Sequence, residues 1–280
     1  MKVVTDTLGL ARSNVAERVK GARHKRGPQN RPGDLELAGE IRRLVDTKPT
    51  YGYRRIAALI KRARRADGGQ PVNAKRVYRV MKKHGLLLAR HTGRRRPCEH
   101  DGKVVTLRSN IRWCSDTPEF TCWNGDLVRI AFALDCHDRE VLGWIATTTG
   151  ISGEMIRDLM IECVERRFGA PRAPHPVQWL ADNGSVYAAA KTIDIATALN
   201  LQPCFTPVES PESNGVAEAF VKTFKRDYVR VSPVPDAQAA LAAVSDWMTD
   251  YNEVHPHSGL AYRSPREYIR AHSQPAACPV

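Results

Sequence analysis

The sequence has no apolar run approaching the roughly 18 residues that a membrane-spanning helix requires, and its first residues lack the apolar stretch of a signal peptide. No internal repeat is present. The seven cysteines (Cys98, Cys114, Cys122, Cys136, Cys163, Cys204, Cys278) are odd in number and scattered, without a CxxC pair to clasp zinc. The expectation is a cytoplasmic chain with reduced thiols and no membrane partner.

What the chain does have is positive charge, unevenly placed. The formal net charge is +13 over 280 residues. Residues 1–108 hold 28 Lys and Arg against 9 Asp and Glu, a net +19, whereas residues 109–280 hold 15 against 21, a net −6. A basic third joined to an acidic remainder fits a polyanion grip attached to something that needs carboxylates. An ordinary solvated basic face would give the same balance.

Along the chain, residues 1–33 read as a basic arm, with Arg23, His24, Lys25, Arg26, Gly27 and Pro28 mixing charge and helix breakers. Residues 34–90 read as three short helices. Leu37, Ile41, Leu44 and Val45 recur at helical spacing before Pro49; Ile56, Leu59, Ile60 and Ala63 follow among arginines; Val77, Val80 and Met81 come last, between an Asn73 cap and a Gly85 stop. Three such helices with a basic last one suit a helix-turn-helix-like DNA-binding domain, with Arg54, Arg55, Lys75, Arg76 and Arg79 as candidate DNA contacts. A three-helix bundle with a charged exterior is the alternative.

Residues 91–108 read as a linker and 109–230 as the core of a second domain, followed at 231–280 by a helical extension. Strand-like runs at 111–117, 127–135 and 140–147 suggest an antiparallel meander. A helix over about 152–168, an apolar strand at 177–181, a helix over about 188–200 and a further strand and helix then give an α/β domain, a mixed sheet flanked by helices. Asp135 and Asp138 fall at the hairpin turn and read as turn chemistry. His255-Pro256-His257 offers poor chelate geometry because of the intervening proline.

Three acids draw attention. Strand alternation puts Asp116 on the face of Cys114, opposite Trp113 and Ser115. Asp182 follows an apolar strand and opens Asp182-Asn183-Gly184-Ser185. Glu218 shares a helix stripe with Lys222 and Lys225, apart from the apolar flank of Ala217, Phe220, Val221, Phe224 and Tyr228. Taken singly, these are an exposed strand acid, a turn and a common Glu–Lys pair. Taken together they could hold two hard ions, Mg²⁺ or Mn²⁺, roughly 3.5–4 Å apart, as phosphodiester cleavage and transfer require. Lys222, Lys225 and Arg226 would then lie where a DNA backbone approaches.

Trp113-Cys114-Ser115-Asp116, Asp182-Asn183-Gly184-Ser185 and Ser210-Pro211-Glu212-Ser213-Asn214-Gly215-Val216-Ala217-Glu218 resemble the Asp, Asp, Glu blocks of the retroviral-integrase superfamily, and 35 residues separate the second acid from the third. Pro49-Thr50-Tyr51-Gly52-Tyr53-Arg54-Arg55, Val72-Asn73-Ala74-Lys75-Arg76-Val77-Tyr78, Tyr251-Asn252, His255-Pro256-His257-Ser258-Gly259-Leu260 and Ser264-Pro265-Arg266-Glu267 resemble more narrowly the second-frame (OrfB) transposases of the IS-three family of bacterial insertion sequences. The resemblance implies an RNase H-like mixed five-stranded sheet, with Asp116, Asp182 and Glu218 as catalytic metal ligands and Lys225 on DNA. It also implies cleavage and strand transfer of element and target duplex DNA, a homo-oligomer on DNA, and fusion to an upstream-frame product. Leu8-Gly9-Leu10-Ala11-Arg12-Ser13-Asn14 could be the tail of that frame's helix-turn-helix. Two other readings stand beside it: a catalytically silent DNA-binding regulator, and an RNase H-like nuclease for RNA–DNA hybrids.

Overall fold

The computed structural model describes residues 2–7, 9, 31–89, 106–206 and 214–273. The basic stretch at 23–28, the 8–14 fragment apart from residue 9, the linker through residue 105, and residues 207–213 and 274–280 lie outside the described residues. A short helix, α1 (Lys2–Thr7), stands within the expected arm. Among the described residues no helix is long and apolar enough to cross a membrane.

The three expected helices are present: α2 (Asp34–Thr47), α3 (Tyr53–Ala66) and α4 (Ala74–Lys83). They enclose a core of their own built on Leu37, Ile41, Tyr51, Ile56, Ile60, Val77 and Met81. Asn73 caps α4 by accepting a hydrogen bond from the Lys75 N–H at 2.8 Å, and Gly85, at φ 66°, turns the chain away where a side chain would be strained. On α3 the inward face is narrower than its spacing suggested. Leu59 is half-buried and Ala63 exposed, because Ile56, Ala57 and Ile60 already fill the contact.

The larger domain is a mixed sheet of β1 (Arg112–Asp116), β2 (Glu119–Thr121), β3 (Leu127–Asp135), β4 (Val141–Thr147), β5 (Val177–Ala181) and β6 (Leu201–Phe205). β3 lies between β4 and β1, antiparallel to both; β1, β5 and β6 run parallel. β2 pairs with the same edge of β3 as β1 does, so it prolongs β1 beyond the break at Thr117-Pro118. The expected five strands therefore become six segments, since Pro118 has no N–H to give the ladder. One face is covered by α5 (Gly153–Phe168) and α7 (Ala190–Ala198), packed on Trp113, Ala131, Ala133 and Trp179. The other is covered by α8 (Gly215–Phe224) and α9 (Ala237–Glu253), packed on Cys114, Ile130, Phe132 and Leu134. The helix expected over about 188–200 is α7, and a separate short helix, α6 (Ser185–Ala188), precedes it, the two divided at Ala189 by its extended backbone. The last described residues form α10 (Pro265–Ser273).

Asp135 does serve the hairpin, accepting from the N–H groups of Asn110, His137 and Asp138 at 2.7–3.1 Å. It is nonetheless fully buried beside Asp138, and both face Arg167 from α5. That buried cluster had no local signature, because the arginine is supplied from a different element.

The helical domain rests on the C-terminal part of the larger one. Lys48 pairs with Asp250 at 2.7 Å, Arg62 donates to the Val254 carbonyl at 2.8 Å, and the Tyr51 hydroxyl shares a 2.7 Å hydrogen bond with His255 Nδ1. His255 is buried and His257 half-buried here, their rings 4.7 Å apart. Burial first, then the cations of Arg55 and Arg139, pushes His257 down to about 3, and burial likewise lowers His255. Below the unfolded value of about 6.5, an unfolded chain takes up protons that the folded rings refuse, so stability is lost as pH falls through that window toward about 3. The wild type should therefore lose more stability than His257→Phe between about pH 7 and about pH 5. Denaturant midpoints at both pH values check this, and equal losses would refute it.

Candidate active site

The site is assembled by strand order. β1 and β5 are parallel neighbours in the register Arg112 to Gln178, Trp113 to Trp179 and Cys114 to Leu180. Two residues further, the same register sets Asp116 level with Asp182 at adjoining strand ends, where neighbouring strands lie about 4.8 Å apart. Alternation places Cys114 against the α8 side and Trp113 against the α5 side, so Asp116 faces α8, the helix that bears Glu218.

Ser115 ties the pieces together from between Trp113 and Asp116. Its hydroxyl shares a 2.7 Å hydrogen bond with the Tyr187 hydroxyl, fixing the turn of α6 that follows Asp182. Its carbonyl accepts from Asn214 Nδ2 at 3.2 Å, fixing the start of α8 four residues before Glu218. Asn183 donates to the Thr206 carbonyl at 2.9 Å and anchors the same loop to the end of β6. The blocks that carry the acids also carry their anchors: Ser115 and Asn183 adjoin acids, and Asn214 opens the helix. Tyr187 gave no signal in sequence beyond its place after the second block.

Charge links the acids. The Asp116 carboxyl is pushed above the usual carboxylate range, first by burial and then by the charges of Asp182 and Glu218; the Thr117 N–H and Lys225 pull the other way. Asp116 Oδ1 accepts from the Thr117 N–H at 2.7 Å, and Asp182 Oδ1 from the Gly184 N–H at 3.1 Å. Glu218 Oε2 takes a 3.0 Å salt bridge from Lys222 along the exposed side of α8. Among the described residues no three His, Cys, Asp or Glu side chains stand close enough to grip an ion. The acids thus share one electrostatic neighbourhood without being closed on a common point.

The remaining candidates divide by partner. Arg55 and Arg226 both pair with Asp227, at 2.9 and 2.6 Å. Arg76 and Arg79 both reach Asp34, at 2.8 and 3.4 Å. Arg54 is exposed and lies over the Tyr53 ring at 5.5 Å, and Lys75 is exposed. Residues 210–213 of the third block lie outside the described residues.

Sheet order, parallel neighbours ending in acids and a helical domain in front define an integrase-type α/β core behind a helix-turn-helix-like module. Residues 107–211 and 199–265 match two models described as Integrase core domain, and residues 32–96 match an HTH-like domain. Transposase InsD for insertion element IS2D of Escherichia coli (strain K12) is 49% identical over 243 residues, covering 85% of this chain and 79% of that protein. An uncharacterized protein of insertion element IS136 from Agrobacterium fabrum is 57% identical over 194 residues, covering 69% of this chain and 100% of the relative. Among solved structures, a chain of a simian T-cell lymphotropic virus intasome aligns with a TM-score of 0.49 at 17% identity, over 86% of this chain and 77% of that one. The catalytic core domain of BIV integrase aligns with a TM-score of 0.39 at 18% identity, over 58% and 96%. The chain belongs to the insertion-element transposases with an integrase core, in the form of the second-frame product of the IS-three family.

The Ser115–Tyr187 bond is buried, so Ser115→Ala or Tyr187→Phe alone strands a hydroxyl and should cost about 1–3 kcal/mol. The double variant should recover part of that loss in denaturant unfolding. Strictly additive losses would show that the two hydroxyls do not depend on each other.

Proposed function

We propose that this chain cleaves and joins DNA strands as a polynucleotidyl transferase, with Asp116, Asp182 and Glu218 as the ligands of two Mg²⁺ or Mn²⁺ ions. The observation that carries the reading is the shared field at Asp116, whose carboxyl is raised by Asp182 and Glu218 together and lowered by Lys225. A strand-end carboxylate raised by the charges of two neighbouring acids fits a hard dication, and oxygen donors are what Mg²⁺ and Mn²⁺ prefer. When bound, such ions activate an oxygen nucleophile and stabilise the leaving oxygen of a phosphodiester.

The chain's own part is positional. Asp116 and Asp182 sit on a rigid sheet edge, held by Ser115 and Asn183, and need little adjustment. Glu218 must leave Lys222, an exposed pair worth only a few tenths of a kcal/mol, so its movement toward the aspartates costs little. The freed Lys222, 76% exposed, and Lys225 then face the phosphodiester backbone. Arg54 and Lys75 on the helical domain are further phosphate contacts in this reading; Arg76 and Arg79 would have to share themselves between Asp34 and DNA. The substrates are double-stranded element ends and target DNA. The working form is a homo-oligomer assembled on DNA, with the upstream-frame product fused or alongside, in the bacterial cytoplasm at the nucleoid.

Asp116→Asn, Asp182→Asn and Glu218→Gln should each abolish donor cleavage and strand transfer in Mg²⁺ while duplex binding by gel shift persists. The assay uses the flanking terminal repeats and compares the chain alone with its upstream fusion. Strand transfer surviving in any of the three would remove that acid from the set, and survival in all would end the proposal.

A further inference from the structure

Asp227 is the most deeply buried acid outside the strand-end set that also touches the helical domain. Its side chain is 0% exposed, and its two oxygens are held by Arg226 at 2.6 and 2.7 Å and by Arg55 Nη1 at 2.9 Å. His255 Nδ1 stands 3.9 Å away. Arg55 belongs to α3 of the helical domain, whereas Asp227 lies in the π-helical turn Lys225–Val229 that directly continues α8.

That turn has a structural reason. In a regular helix three consecutive residues cannot all face inward, yet Asp227, Tyr228 and Val229 are all buried. The wider turn, closed by the Arg230 N–H on the Lys225 carbonyl at 3.0 Å, brings Asp227 to Arg55 and Tyr228 to Asp250 together. Arg226 comes from the turn itself, so Arg55 is the guanidinium that ties Asp227 to another element and holds the end of α8 where it can be reached. Its start is held by Asn214 on Ser115. Glu218 and Lys225 lie on the helix between these two fixed ends.

We propose that Arg55 and Asp227 are positioning residues: a clamp through which the helix-turn-helix-like domain sets the position of α8, and with it Glu218 and Lys225, so that strand cleavage and joining depend on how that domain is docked. This rests on the assignment of Glu218 to the reaction. Arg55, expected from sequence to meet DNA, is turned inward, its guanidinium 5.1 Å from the centre of the Tyr51 ring and its side chain 22% exposed.

The experiment compares wild type, Arg55→Ala, Arg55→Lys, Asp227→Asn and the Arg55→Ala/Asp227→Asn double variant in the full chain and its upstream fusion. A small displacement of a reacting group can cost about 100-fold in rate, and Arg55→Ala is expected to lose strand transfer on that scale. Its DNA affinity and the salt dependence of that affinity should be unchanged, and the amides of Gly215–Phe224 should exchange hydrogen faster. Arg55→Lys should recover most of the activity, because a single N–H reaches Asp227, and the double variant should be no worse than either single one. A phosphate contact would instead lower the salt slope by about 0.9 and leave α8 exchange untouched; that result, or wild-type exchange together with wild-type activity, overturns the clamp. If Arg55→Ala does not fold, Arg55→Lys and Asp227→Asn carry the same comparison. Should Glu218→Gln transfer strands as well as wild type, the catalytic assignment fails, while hydrogen exchange along α8 still decides the clamp.

Discussion

Everything at the site depends on β1 and β5 being parallel neighbours in one register. Parallel pairing puts the carboxyl ends of both strands at the same edge of the sheet, which is where α/β sheets place their ligands. An antiparallel neighbour would have sent Asp182 to the opposite edge, with the length of the sheet between it and Asp116. The pairing is enforced from both faces. Trp113 and Trp179 are buried against α5 and α7, and Cys114 and Leu180 against α8 and α9. A slip of one residue would exchange these sets and turn Asp116 into the wrong layer.

The fold treats its acids in two ways. Asp135 accepts three backbone N–H groups and faces Arg167, Asp138 accepts the Glu140 N–H and pairs with the same arginine, and Asp227 has two guanidinium groups. These carboxylates are buried and satisfied. Among the described residues Asp116 and Asp182 accept one backbone N–H each, and Glu218 has only an exposed lysine. Burial pushes the Asp135 carboxyl up to about 6 despite its donors. Asp116 is raised with far fewer donors to set against its neighbours' charge. Acids kept this short of compensation are the ones with capacity left for a cation.

How much of this was legible in sequence follows from the range of each interaction. The Val177–Ala181 strand, the Asn73 cap, the α5 helix and the three acid blocks depend on residues a few positions apart, and sequence spacing exposes them. β2 escaped notice because a three-residue strand after a proline has no period to read. The pairing of Arg55 and Arg226 with Asp227 stayed hidden for a related reason. A basic residue on a helix reads as solvent-facing until the acid that claims it is known, and Asp227 lies 172 positions from Arg55. Likewise Ser115 and Tyr187, 72 positions apart, looked like ordinary polar side chains. Local chemistry singled out the three acids, whereas the contacts that hold their segments became visible only in three dimensions.

This division bears on how α8 is used. In the proposed reaction α8 brings Glu218 toward the two aspartates and releases it from Lys222, so it cannot be welded along its whole length. Its apolar flank, Ala217, Phe220 and Phe224, is buried in the core shared with Cys114 and Phe132, which limits rotation. Its polar anchors sit at the ends: Asn214 on Ser115 at one, and the π-turn with Asp227 at the other. The first anchor belongs to the catalytic sheet and moves with the aspartates. The second is shared with the helical domain and changes only if that domain shifts. A load on the helical domain, such as bound DNA, therefore has a direct mechanical route to one end of the helix through Arg55 and Asp227. In the clamp we propose, the third acid is accordingly the one whose placement responds to DNA, with the first two as the fixed reference.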